Sequence, residues 1–216
     1  MTIFVDLGTE VTNSKGRLPD RWDSPLVLAL HGLTGDENSM GIFTSHIPAP
    51  FAVIMPRGIF SSQYGGFSWV RGSHNYFPTL DEFREAANSL EMFRQELFAR
   101  HTLKPAAIHL MGFSQGAALA YALLVDTSWG IKSVAALSGF LPPGFPASSR
   151  ELQNRSLKVY IAHGARDERV PVAAAREAVT ALKLTGAEVG YCESDTGHKL
   201  GTVCLQNLHH FYKGLL

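Results

Sequence analysis

Ala107-Ile-His-Leu-Met111, then Gly112-Phe113-Ser114-Gln115-Gly116, then an Ala-rich stretch reaching about Asp126 follow one another without a break. The first run is short and almost wholly apolar, which reads as a strand covered on both faces. The last, from Gln115 to about Asp126, reads as a helix. Between them two glycines flank Ser114 in the pattern Gly-x-Ser-x-Gly. A turn this tight strains its central residue, and a side chain at Gly112 or Gly116 would collide with neighbouring backbone. Strand, sharp turn and helix together hold the Ser114 hydroxyl out above a sheet, with the first turn of a helix behind it. The free N–H groups and positive dipole end of that helix favour negative charge developing beside the serine.

Working outward, the same alternation recurs. Short apolar runs lie at Leu26–Leu30, Ala52–Met55, Val134–Leu137, Val159–Ala162 and Val189–Cys192. Helical patterns separate most of them, over about Leu80 to Arg100, Val172 to Leu184 and Gly201 to Phe211. In the first of these helices Thr79 and Glu82 match a capping box, and Phe83, Ala86, Ala87, Leu90, Phe93 and Leu97 share one face. Strands joined by crossover helices predict an α/β fold, a mostly parallel sheet with helices on both faces. The first eighteen residues are expected to add an antiparallel edge hairpin. The longest irregular stretch, Arg57 to Pro78, is rich in Gly, Ser and aromatics. It is expected either to wall an apolar pocket at the strand ends or to tuck onto the body by its own aromatic cluster.

A serine hydroxyl is a poor nucleophile until an adjacent base, oriented by a carboxylate, removes its proton. The α/β-hydrolase chain order of serine, carboxylate, histidine directs the search downstream. After Ile161-Ala162 comes His163-Gly164-Ala165-Arg166-Asp167-Glu168-Arg169-Val170-Pro171, which sets Asp167 in a loop after a strand and before a helix. After the final apolar run comes Ser194-Asp195-Thr196-Gly197-His198-Lys199 in the same kind of place. Ser114, Asp167 and His198 thus fall at one edge of a parallel sheet, where such folds bind ligands. Glu168 and Asp195 compete as the carboxylate. Asp195 is only three residues from His198 on one loop, so a separate strand-end loop is the better place from which to orient the imidazole. His31 and His163 also end strands and are expected to hold turns. His46, His74, His101 and His109 have no motif around them, and the adjacent His209 and His210 diverge by about 100° on a helix, a poor metal pair. An oxyanion site should draw on the early loop Leu30-His31-Gly32-Leu33-Thr34-Gly35, giving the backbone N–H groups of Leu33 and Gln115 as its donors. Trp69, Phe113, Phe140 and Leu141 are candidate walls of the substrate pocket.

His31-Gly-Leu-Thr-Gly-Asp-Glu, Gly112-Phe-Ser-Gln-Gly-Ala, His163-Gly-x-x-Asp-x-x-Val-Pro and Gly197-His198 together resemble the phospholipase/carboxylesterase family, relatives of the acyl-protein thioesterases. The pieces occur in the family's order and span nearly the whole chain. The resemblance implies an α/β-hydrolase fold without a large cap domain, a Ser114-His198-Asp167 triad, and an oxyanion hole from Leu33 and Gln115. It also implies cleavage of carboxylic esters or thioesters with no cofactor. Thr34 stands where members commonly carry Gly, and the sequence around His198 departs from the longer pattern of the protein-depalmitoylating branch. These departures favour a carboxylesterase acting on small to medium acyl groups over an acyl-protein thioesterase or lysophospholipase.

With 216 residues the chain is expected to form one domain over 1–216. At 45% hydrophobic and 18% charged it has the composition of a globular protein. Nineteen basic residues balance nineteen acidic ones, which argues against a nucleic-acid partner bound through its phosphates. No apolar run approaches a membrane span, and the start Met1-Thr-Ile-Phe-Val-Asp-Leu-Gly lacks the features of a signal peptide, so a cytoplasmic location is expected. The partner is expected to be a small-molecule ester or thioester, and the chain a monomer or homodimer. Cys192 and Cys204 are expected to be reduced and packed, and no cluster has the ligand spacing of a metal site. A non-catalytic binding protein on the same scaffold is the rival from another class, and phosphonate labelling of Ser114 would separate the two. A peptidase would want an added domain to bind its peptide, and a dienelactone-type hydrolase would carry Cys at the nucleophile.

Overall fold

The computed structural model describes residues 5–9, 11–18, 23–72, 77–125, 127–146 and 156–216. Every apolar run becomes a strand: β3 (Leu26–Leu30), β4 (Ala52–Pro56), β7 (Ile108–Phe113), β8 (Ile131–Leu137), β9 (Lys158–Gly164) and β10 (Glu188–Ser194). These six run parallel. The expected edge hairpin is present as β1 (Val5–Asp6) and β2 (Ser14–Arg17), with β2 antiparallel to β4. The order across the eight-stranded sheet is β1-β2-β4-β3-β7-β8-β9-β10. This is the mostly parallel α/β-hydrolase arrangement.

Side chains of a strand alternate between faces, and here both faces are covered. Leu26, Leu28 and Leu30 of β3 face one core, where α2 (Arg84–His101), α3 (Gln115–Val125) and α4 (Val172–Leu184) lie. Val27 and Ala29 face the other, closed by α1 (Gly41–Thr44) and α5 (Thr202–Lys213). All five residues of β3 and of β4 are therefore buried. Helix α2 begins as a 3₁₀ turn over Asp81–Phe83, and Glu82 reaches back to accept from the Thr79 N–H at 2.8 Å and its hydroxyl at 2.9 Å. Its expected apolar face is the buried one, with Phe83, Ala86, Leu90, Phe93 and Leu97 all 1% exposed or less.

The stretch after Arg57 has structure of its own. A short hairpin, β5 (Phe60–Ser61) with β6 (Phe67–Ser68), is tied to the loop after β3 by a bridge between Gly35 and Phe67. Arg57 lies over the Phe67 ring and donates to both Glu37 oxygens, at 2.6 and 2.5 Å. Tyr76 and His74 lie outside the described residues.

Cys192 and Cys204 are a disulfide, not the two reduced thiols expected from the sequence. Helix α5 folds back onto β9 and β10, which brings the two Cα atoms to 5.6 Å. Spacing along the chain carries no sign of that return packing. The bridge closes the loop that holds His198. In the chain-entropy account a loop of this size stabilises by about 3 kcal/mol. Reduction with dithiothreitol is expected to lower the melting temperature by roughly 6–12 °C. A Cys192→Ala/Cys204→Ala variant should melt in that lower range and ignore the reductant. A reductant-insensitive melt in the parent chain would show that the bridge contributes nothing to stability.

Candidate active site

The turn after β7 is built as its residues require. Ser114 has φ +54°, in the left-handed region that a side chain rarely tolerates, and its N–H is held by the Leu137 carbonyl at 2.8 Å. A Cβ on Gly112 would overlap the Gly116 carbonyl, and one on Gly116 would overlap the Leu30 carbonyl and lie 2.5 Å from that of His31. The two glycines let α3 start directly against β7 and β3, with Ser114 at the apex.

Two further loops meet at the same rim. The loop after β9 is zipped to the loop after β10 by Ala165 N–H to Ser194 O at 2.8 Å and Arg166 N–H to Thr196 O at 2.9 Å. At the crossing, Gly164 passes so close to the carbonyls of Thr196 and Gly197 that no Cβ would fit. Asp167, with a fully buried side chain, uses Oδ1 to accept the N–H groups of Arg169 and Val170, each at 2.9 Å. Its Oδ2 is 2.7 Å from His198 Nδ1. His163, wholly buried, stands behind the carboxylate: Nε2 donates to the Val170 carbonyl at 2.8 Å and lies 3.4 Å from Asp167 Oδ2. The competing carboxylates are elsewhere. Asp195 pairs with Arg166 in solvent at 2.7 Å, and Glu168 is exposed.

The loop after β3 runs beside the serine. A Cβ on Gly32 would sit 3.2 Å from that of Ser114. The N–H groups of Leu33 and Gln115 take no backbone acceptor among the described residues. His31 anchors this loop from within: its Nε2 accepts the Gly58 N–H at 2.8 Å, which puts the ring proton on Nδ1, 2.7 Å from the Gly32 carbonyl. Burial pushes this imidazole down to about 4, so it stays neutral at ordinary pH. Thr34 has φ +69°, a left-handed backbone conformation that glycine adopts more readily than a β-branched residue. The Gln115 side chain turns away and accepts from Trp69 N–H at 2.9 Å and Ser68 Oγ at 3.2 Å.

Ser114, His198 and the Leu33 and Gln115 backbones line one cavity of about 600 Å³. The Ser114 hydroxyl makes no hydrogen bond with another described residue, His198 included, and such bonds often tighten only once substrate is bound. Of the four candidate wall residues, Phe113 and Phe140 line the cavity, whereas Trp69 and Leu141 do not. Trp69 is fully buried beneath the loop after β3, packed on His31 with its indole N–H on the His31 carbonyl at 2.8 Å. Leu141 packs half-buried against the core. The expectation that aromatics of the 57–78 stretch wall a pocket is met by Tyr64 and Phe77, whereas Arg169 is a lining residue that sequence reasoning missed. Phe77 stacks on Phe140 with centroids 4.2 Å apart. The aromatic bias of the 57–78 stretch was the available signal for Phe77 and Tyr64. Arg169 occupies a variable position inside the His163–Pro171 pattern and gave none.

Among the described residues no group of three or more His, Cys, Asp or Glu side chains could hold a metal ion. Nor is any described helix long and apolar enough to cross a membrane.

The profile of the phospholipase/carboxylesterase family matches residues 17–216. The chain is 38% identical over 94 residues to acyl-protein thioesterase 1 of Saccharomyces cerevisiae, a match that spans 43% of this chain and 40% of that protein. In fold it is similar to a carboxylesterase from Mesorhizobium loti (TM-score 0.81, 20% identity, 98% of this chain and 99% of that one). It is also similar to the Bacillus cereus carboxylesterase (TM-score 0.81, 19% identity, 96% of each chain). Acyl-protein thioesterase 2 of Zea mays is more distant in shape (TM-score 0.68, 20% identity, 93% of this chain and 97% of that one).

Proposed function

Since the chain belongs to the phospholipase/carboxylesterase family, we propose that it is a carboxylesterase that cleaves esters of small to medium acyl groups through an acyl-enzyme on Ser114. One observation carries the reading: the 2.7 Å contact between Asp167 Oδ2 and His198 Nδ1, beside a cavity that holds Ser114 at a strained turn. The buried carboxylate fixes the ring proton on Nδ1 and leaves Nε2 free as the base. Nε2 takes the Ser114 proton as Oγ attacks the acyl carbonyl, and the Leu33 and Gln115 N–H groups receive the oxyanion. The bond to the leaving oxygen then breaks, with His198 returning its proton to that oxygen. Water repeats the sequence on the acyl-enzyme and releases the acid. Backbone donors of this kind contribute about 10²–10³ each in rate.

The cavity suits an acyl chain of modest length. Leu33, Phe77, Phe113, Phe140 and Val170 supply its apolar wall, and its 600 Å³ lies within the range of about 300–1,000 Å³ found for small-ligand sites. The alternative is an acyl-protein thioesterase or lysophospholipase, supported by the identity to the yeast thioesterase. The Cys192–Cys204 bridge weighs against the cytoplasmic location expected from the sequence, because a reducing cytosol keeps such pairs as thiols.

A fluorophosphonate is expected to label the chain stoichiometrically at Ser114, and a series of p-nitrophenyl esters from acetate to palmitate should show a short- to medium-chain optimum. An unlabelled serine would leave a binding protein on this scaffold. An optimum at palmitate would move the activity to the long-chain thioesterase or lysophospholipase reading.

A further inference from the structure

We propose that Arg169 selects substrates whose leaving group carries an anion, a carboxylate or a phosphate set several bonds from the scissile ester. This inference rests on the hydrolase reading above and names the substrate class of that site.

Arg17, Arg57, Arg71, Arg84, Arg94, Arg100, Arg166 and Arg176 each have an acceptor in the protein. Arg17 donates to backbone carbonyls, and the others pair with carboxylates. The Arg169 guanidinium has none among the described residues, although Arg169 is also the one described arginine that lines the cavity. No described acidic side chain lines that cavity with it. A cation left without a counter-charge at the mouth of an apolar site favours an anion brought there by a ligand.

Its place relative to the chemistry is fixed by the turn it sits in. Asp167 Oδ1 accepts the Arg169 N–H, while Asp167 Oδ2 holds His198, so one buried carboxylate positions both the base and the backbone of Arg169. Val170, the next residue, is buried, and its carbonyl is held by His163. The sheet order then assigns the side. From β7, which carries Ser114, the Leu33 loop lies toward β3 and the Arg169 and His198 loops lie toward β9 and β10. His198 must hand its proton to the leaving oxygen, so the leaving group extends toward the His198 side, where Arg169 waits. Arg169 forms and breaks no bond in this scheme. It raises affinity for the correct alcohol or thiol.

The test compares three butyrate esters of matched phenols: 4-hydroxyphenylacetate, its neutral methyl ester, and 4-(phosphonomethyl)phenol. For the parent chain at low salt, kcat/KM for the carboxylate ester is expected to exceed that for the neutral one by about fivefold or more, mainly through KM. The preference should fade as salt screens the pair. Arg169→Gln should bring the ratio close to one, Arg169→Lys should keep part of it, and Arg169→Glu should carry it below one. A merely structural arginine would not produce that charge-ordered series. The phosphonate ester tells whether the site takes the dianion better than the carboxylate, and either preference supports the proposal. Equal ratios in parent and all three variants would overturn it while leaving the esterase intact. Absence of any Ser114-dependent turnover would overturn the hydrolase reading as well.

Discussion

Replacing His198 with Ala is expected to slow turnover of p-nitrophenyl butyrate by about 10⁶, close to the loss for Ser114→Ala, because in the proposed mechanism the two groups act as one unit. Neither change should alter the fold, since the His198 side chain is 14% exposed at the rim and no core cluster depends on it. Asp167→Asn is the more discriminating variant. Oδ1 is locked by two backbone N–H donors, so an amide at this position must place its carbonyl oxygen there. The amide NH₂ then faces His198 Nδ1, which has to become an acceptor. The ring proton moves to Nε2, and the base is lost without any atom leaving its place. A fall in kcat of about 10⁴ with KM little changed is the expected result. Turnover near the parent level in either His198→Ala or Asp167→Asn would remove the relay from the account. Circular dichroism and the urea midpoint of each variant keep loss of chemistry separate from loss of fold.

The sequence could show the strands and the three chemical loops for one reason: each is written locally. Buried parallel strands are continuous apolar runs, and the turn at Ser114 needs its glycines at fixed offsets. What it concealed depends on contacts between distant segments. The Cys192–Cys204 bridge needs α5 to return onto β10. Trp69 looked like a pocket residue because it lies in an aromatic loop. Its indole N–H instead closes on the His31 carbonyl, and the ring fills the space under the loop after β3. Arg169 was invisible for a different reason: the proposal for it starts from a missing partner, and such an absence can be read only once the other described arginines have been seen to hold theirs. The His31 ring shows the same limit. A histidine at a strand end can be expected to hold a turn. That it does so as a neutral acceptor for Gly58, across 27 residues, is a fact of the fold.

Gly116→Ala is expected to cost about 4 kcal/mol or more and to yield little folded protein. A conventional Gly-to-Ala change inside a helix stabilises by about 1 kcal/mol, because alanine is the better helix former and the unfolded chain loses freedom. Here the sign reverses. The new methyl would overlap the Leu30 carbonyl and lie 2.5 Å from the His31 carbonyl, both backbone atoms at the end of a central strand. A flexible side chain could swing aside, but β3 is paired on both edges, to β4 and β7, and buried along its whole length. Helix α3 would have to retreat, and ten of its eleven residues are buried. That retreat would open a buried layer between helix and sheet, where lost contacts and cavities are costly. Gly41→Ala is the control: it begins α1, nothing lies within 4 Å of the added methyl, and it is expected to be neutral or slightly stabilising. Urea midpoints compared across the parent and both variants measure the contrast. A Gly116→Ala chain within about 1 kcal/mol of the parent would mean that α3 can slide on the sheet, and that the position of Ser114 over the rim is not held by this contact.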